Sequence, residues 1–446
     1  MTQDYSHELG LLRRIVRGME KRSISPTQVN QQYLRDERLA RSHPVEDGVY
    51  FLNRSADDAL DDLVASLIAR SAGMERGSAF ETVHRELLDT LTNYLGRAED
   101  SLDAAVVATI HANLEEWFRQ RSKSRQVFIP CAISPWEAPR FSIGPVVFLY
   151  RTEVTRSEFY PPDRAEARRG FDEMLLEMET TRVHWLACVS VEHCDRDRGE
   201  QTAALTTDLA LAGLQLILPL FWYTREMSRL DTRRGEAHTH SISLSDGAYQ
   251  LRSTVRDAGL LIGAGTLADA LARSTQWVHA VGSCLTSFAT GKFRIPNLEL
   301  AWCDAAHWLH EALAEASDAI AYAKLETALE VLARAESTSG SQTRIELILD
   351  AFYSLSPTDK LTPESKMTAS QFAKEIVRDR SRILHGTWST LQRSIGMNRE
   401  RMEKFAIEVI RRTALELQEY ATSTAPKDDI ESLLLWVRSK KAAGIS

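Results

Sequence analysis

Four cationic side chains crowd the segment EIVRDRSRILHGTWS, residues 375–389: Arg378, Arg380, Arg382 and His385. A planar guanidinium can give a phosphate two parallel hydrogen bonds. An imidazole, with an ordinary pKa of about 6.5, takes or gives a proton near neutral pH. Together these residue types could hold a phosphate and move a proton. The same residues also describe a solvated helix end, because cations are favoured in a last helical turn and His-Gly is an ordinary helix ending. The elements that carry them separate the two readings.

The bare spacing decides nothing. Arginine followed five positions later by histidine occurs three times, as Arg38–His43, Arg233–His238 and Arg380–His385. His43 precedes Pro44, which pushes it to an extended backbone. The second copy contains Gly235 and runs into a strand-like stretch. Only the third lies in a long amphipathic helix, TASQFAKEIVRDRSRILHG, with Thr368 or Ser370 as its cap and Gly386 as the residue after its end. His385 then sits where a ring can reach solvent or another chain. On an ideal helix Arg378, Arg382 and His385 share one face, whereas Arg380 points about 140° away from His385.

The 446 residues suggest two to four domains at roughly 100–200 residues each. Residues 1–125 read as helices, with ADDALDDLVASLIARSA and AFETVHRELLDTLTNYLG apolar at helical spacing, and His84 on a helix surface. From 126 to 295 a mixed α+β region is expected. QVFIPC, GPVVFLY, VHWLACVSVEHC and HTHSISLS are its strand candidates. TTDLALAGLQLIL follows the third as a helix capped by Thr207 or Asp208, ending near Pro219. From Pro296 to about 425 five helices follow, and 426–446 is a C-terminal tail. The fold class is thus mainly α with an α+β middle and a C-terminal helical bundle.

The stretch around Arg380, Ser381, His385 and Gly386 resembles the Apea-like branch of the HEPN superfamily, whose later helix carries arginine, a small polar residue, three others, then His-Gly. AKLETALEVL (323–332) is similar to that family's early helix. ACVSVEHCDRDRGEQTAALTTDLALAGLQL more weakly resembles the strand and helix upstream of many such domains. The resemblance covers about 296–425. The branch often has tyrosine three positions before the arginine; here Val377 stands there.

The resemblance implies a metal-independent endoribonuclease with Arg380 and His385 catalytic. The 2′-OH of RNA attacks the adjacent phosphorus, arginine stabilises the growing phosphoryl charge, and histidine transfers protons. The products are a 2′,3′-cyclic phosphate and a 5′-OH. It further implies a homodimer, which supplies a second histidine across a two-fold axis, and a role in antiphage defence or as a toxin. Residues 371–412 hold ten Lys/Arg against five Asp/Glu, a local surplus suited to a phosphate backbone. Arg378, Ser381, Arg382, Arg393, Arg399 and Arg401 are the supporting or RNA-binding candidates. The rival reading is a non-catalytic helical module that dimerises and binds nucleic acid or protein.

The net charge of −8 excludes a chain built as a whole for non-specific nucleic-acid binding. Five scattered cysteines and a polar, acidic N-terminus suit a reducing cytoplasm rather than export. The longest apolar run, LALAGLQLILPLFWY, is too short to span a membrane. Cys188, His193 and Cys194, with His238 and His240, do not converge on one strand face as zinc ligands. His307 and His310 flank a helical core beside Trp302. No Walker loop, GxGxxG or GxSxG pattern is present, so no cofactor or metal is expected. The middle region is a candidate for a regulatory ligand or protein.

Overall fold

The structure, a computed structural model, describes residues 4–25, 28–30, 36, 38–45, 48–94, 101–161, 164–218, 223–232, 237–256, 259, 263–335, 337–388 and 396–444. The chain divides into two compact units, one of residues 1–125 with 191–201, the other of 126–190 with 202–446.

In the first unit, α1 (Ser6–Gly18) leads into an antiparallel sheet of β1 (Met19–Arg22), β2 (Leu39–Val45) and β3 (Gly48–Asn53), ordered β1-β3-β2. Helices α2 (Arg54–Arg70), α3 (Ala72–Gly77), α4 (Phe80–Thr92) and α5 (Ala104–Arg121) follow. Asn53 caps α2 by accepting from Ala56 N at 2.9 Å, and Asp103 caps α5 by accepting from Val106 N at 3.0 Å. Leu60, Leu63, Val64 and Leu67 of α2 meet Leu12 and Ile15 of α1, Leu87 and Leu91 of α4, and Ile110 and Leu114 of α5 in one core. The sheet corrects the expectation of helices alone over 1–125. LARSHPV carries a proline and little apolar pattern, but β2 is an edge strand, where both are tolerated. The extended backbone expected at His43 is there, paired with Tyr50. His84, expected on a helix surface, is buried at 5% exposure.

β4 (Lys123–Ala132), β5 (Phe141–Ile143), β6 (Val146–Tyr150), β7 (Trp185–Cys194) and β8 (Ser228–Arg229) form a sheet ordered β5-β6-β7-β4-β8. Between β6 and β7 lie α6 (Arg151–Val154) and α7 (Ala165–Thr180). The strand candidates QVFIPC, GPVVFLY and VHWLACVSVEHC fall on β4, β6 and β7. The helix after β7, α8 (Arg196–Ile217), starts ten residues or more before the expected cap. Asp195 accepts from Arg198 N at 2.7 Å, whereas Thr206 and Thr207 are buried within the helix and turn their hydroxyls onto the carbonyls of Thr202 and Ala203. β9 (Ala237–Ser245) and β10 (Ala248–Arg256) form a separate hairpin.

The remaining named elements among the described residues are helices: α9 (Thr266–Arg273), α10 (Thr275–Thr290), α11 (Pro296–Ala314), α12 (Asp318–Leu332), α13 (Thr338–Tyr353), α14 (Ala369–Leu384), α15 (Gly396–Tyr420) and α16 (Ile430–Ala442). α12 packs on α11, α14 and α15. Trp302 is fully buried and donates Nε1–H to the Ile410 carbonyl at 2.9 Å. α16 replaces the expected tail: Leu433, Leu434 and Val437 are buried as it packs on α13 and α15. The first turn of α11 is capped by the Asp428 carboxylate, which accepts from Asn297 N at 2.9 Å and Leu298 N at 3.0 Å. Among the described residues no helix is long and apolar enough to cross a membrane.

Candidate active site at the end of α14

Both ends of α14 are fixed by local chemistry. Thr368 accepts from Gln371 N at 3.2 Å while the Gln371 side chain accepts from Thr368 N at 2.9 Å, a reciprocal capping box. At the far end His385 N donates to Ser381 O at 3.0 Å, and Gly386 takes φ +68°, which ends the helix at no steric cost. Phe372, Ala373, Ile376, Val377 and Ile383 bury the inner face. His385 is left exposed beside Leu384, which is 57% exposed.

The cations divide between two faces, as the 3.6-residue period requires. Arg378 and Arg382 share the exposed side with His385. Arg378 turns back to Asp379, whose Oδ1 accepts from its Nε at 3.0 Å. Arg382 lies over the Trp388 ring, 5.4 Å from its centroid. Arg380 points instead to α12, where its Nη2 donates to Glu330 Oε2 at 3.1 Å and its Nε is 3.3 Å from Glu326 Oε2. The segment AKLETALEVL therefore meets Arg380 through two carboxylates, which sequence reasoning did not single out. Their spacing of four on one helix is the signal that could have found them.

Glu326 is 1% exposed. Burial, reinforced by Glu330 and opposed by Arg380, pushes its carboxyl up to about 8. Arg380 Nη1 has no partner among the described residues, and the side chain is 28% exposed.

The basic surplus of 371–412 is largely spent on internal ion pairs. Arg399 corrects the expectation of an RNA contact most clearly. It is 3% exposed, and its Nε donates to Glu403 at 2.8 Å, its Nη1 to Asp318 at 3.1 Å and its Nη2 to the Ala312 and Leu313 carbonyls at 3.4 Å. It closes the C-terminus of α11 and holds the start of α12, so it has no face for a phosphate. Arg401 pairs with Glu375 and lies 5.2 Å from the Phe372 centroid, partly exposed. Arg411 and Arg412 pair with Glu408, and Lys404 with Glu400. Ser381 is half-buried on α14. Arg393 lies outside the described residues.

Of the two histidines of α11, His310 has other work. His310 Nδ1 meets Gln215 Oε1 at 2.9 Å in a buried contact. All five cysteines are free and buried, and burial pushes the Cys188 thiol up to about 12, far from a thiolate.

The arrangement thus offers one exposed imidazole, two exposed arginines on the same side of the helix, and a third guanidinium held by carboxylates on the neighbouring helix. No protein-family model, no curated protein and no solved structure matches this chain.

Proposed function

We propose that the end of α14 is one half of a metal-independent RNA-cleavage site of the HEPN type, completed by a second copy of the chain. The observation that carries the reading is His385, exposed at a helix end with Arg378 and Arg382 on the same side. His385 takes the 2′-OH proton or protonates the 5′-oxygen, and the symmetry mate's histidine does the other. Arg380, held on Glu330 at 3.1 Å, keeps Nη1 for the phosphoryl oxygen. Leu384 beside His385 supplies apolar surface for a two-fold contact, in which the same patch meets itself.

A specific observation favours a second reading. Arg380 already faces two carboxylates, and most neighbouring cations are paired. That is how a non-catalytic helical module would use them, dimerising or binding a partner through the exposed side of α14.

Purified protein incubated with total RNA in EDTA tests the choice. Cleavage with cyclic-phosphate ends, abolished in His385→Ala at unchanged far-UV circular dichroism, supports the nuclease. Wild-type protein without cleavage, or His385→Ala with full activity, removes the acid–base role. Arg380→Ala should lose several kcal/mol of transition-state stabilisation, roughly 3 as for other removed charge-stabilising donors, while Arg378→Ala and Arg382→Ala should chiefly weaken RNA binding. Specific activity should fall on dilution as dimer is lost.

A further inference from the structure

A second set of chemistry-bearing side chains lies in the first unit. Asp57 and Asp61, four apart on α2, project from one face. α4 brings His84 to them, and the ligand atoms of the three residues all lie within 4.8 Å of one another. His84 is 5% exposed, yet its Nε2, 3.3 Å from Asp61 Oδ1, lacks a hydrogen-bond partner among the described residues. Such a buried, unsatisfied nitrogen aimed at two carboxylates calls for a ligand. A cavity of about 370 Å³ adjoins the cluster, with Glu81, Arg85 and Ser42 on its walls.

One cation already reaches these carboxylates. Arg41 pairs with Asp57 through Nε and lies 3.5 Å from Asp61 through Nη2. It sits on β2 where the register with β3 slips between Leu39 and Arg41, and its side chain is 39% exposed, so it can swing out.

We propose that Asp57, Asp61 and His84 form a site for a divalent first-row transition-metal ion, which takes the place of the Arg41 guanidinium. Two carboxylates carry two negative charges, and a divalent ion balances both where one guanidinium balances one. Bonds of about 2.0–2.2 Å in a tetrahedral site set ligand atoms about 3.4 Å apart. Side-chain rotation that draws the three atoms together by up to about 1.4 Å closes the set. One imidazole and two carboxylates suit zinc, manganese or ferrous iron rather than calcium or copper(I). The cavity leaves the remaining position to water or to Glu81. The site is independent of the reading of α14.

The test uses the full chain, stripped with chelator and dialysed, then titrated with Co²⁺ and followed by visible absorption. One Co²⁺ per chain should bind with a d–d band, and Zn²⁺ should displace it. His84→Gln and Asp61→Asn should each lose at least tenfold in affinity. Arg41→Gln, which removes the competing cation, should bind at least tenfold tighter. Thermal melting of each variant checks folding, and Asp57→Asn replaces Asp61→Asn if the latter fails to fold. The proposal is overturned if neither wild type nor folded Arg41→Gln develops the band, or if His84→Gln binds Co²⁺ as wild type does.

Discussion

Glu326→Gln should change the stability of the α12–α14 packing with a pH dependence set by one buried proton. The Glu326 carboxyl is raised from 4.5 to about 8 by burial, then by Glu330, against Arg380. In the unfolded chain it ionises near 4.5, so between these values the folded state holds a proton that the unfolded state has released. Stability therefore falls as pH rises through that window. At 1.36 kcal/mol per pH unit, the loss is about 3 kcal/mol by pH 7 and about 4 by pH 8, relative to pH 4 or below. Glutamine has the shape of protonated glutamic acid and does not ionise. The variant should thus match wild type at pH 4.5–5 to within about 1 kcal/mol and exceed it by about 3 at pH 7. Hydrogen-exchange mass spectrometry of peptides spanning 318–332 and 369–384, wild type against variant at each pH, reads this directly, because intrinsic exchange cancels in the ratio. A difference of about 3 kcal/mol corresponds to slightly more than a hundredfold in protection. A ratio that stays constant from pH 5 to pH 8 would refute the raised pKa. A variant less stable than wild type at pH 8 would show that the ionised carboxylate pairs productively with Arg380.

Further tests reach other parts of the fold. Arg399→Met removes the buried guanidinium from Asp318, Glu403 and the Ala312 and Leu313 carbonyls, while Arg225 still pairs with Glu403, and should cost about 1–3 kcal/mol, read as a fall in melting temperature; no measurable change would return Arg399 to the surface cations. Gly77→Ala places a Cβ 2.2 Å from the His193 carbonyl and 2.6 Å from Phe118, and should destabilise the first unit by at least about 1–3 kcal/mol; wild-type melting would rule out that close approach. Trp302→Ala should cost about 3–5 kcal/mol through the cavity it leaves, with urea denaturation as the measure; a loss under 1 kcal/mol would mean the site collapses around it.

The legible parts of this chain are those governed by neighbours in sequence. The apolar runs of β4, β6 and β7, the His-Gly ending of α14 and the Pro296 opening of α11 each follow from local propensity. The sheet of residues 19–53 was hidden because its edge strands bury little and so carry no alternating pattern. The start of α8 was misplaced because Thr206 and Thr207 look like caps, yet their hydroxyls return to the preceding turn once they are buried. At the candidate site the exposed position of His385 was readable, and so were the opposite faces of Arg380 and Arg382. The partners of Arg380 and Arg399 were not, since Glu330 is 50 positions and Asp318 81 positions away. A local count of basic residues registers charge but not how much of it distant acids have already neutralised.

The cap that Asp428 places on α11 has a consequence for how the chain is made. The amides it binds, at Asn297 and Leu298, precede it by 131 and 130 residues. At about 5–20 residues per second, the ribosome emits those amides roughly 7–26 s before their acceptor exists. α11 therefore waits through the synthesis of four further helices with its first turn open, and its final seating comes after α15 has been made. Contacts this remote in sequence slow folding, and they make the stretch around Asp428 a requirement for settling the first helix of this array. A chain stopped before residue 428 would carry every cationic residue discussed at α14 and still lack the piece that secures the start of α11.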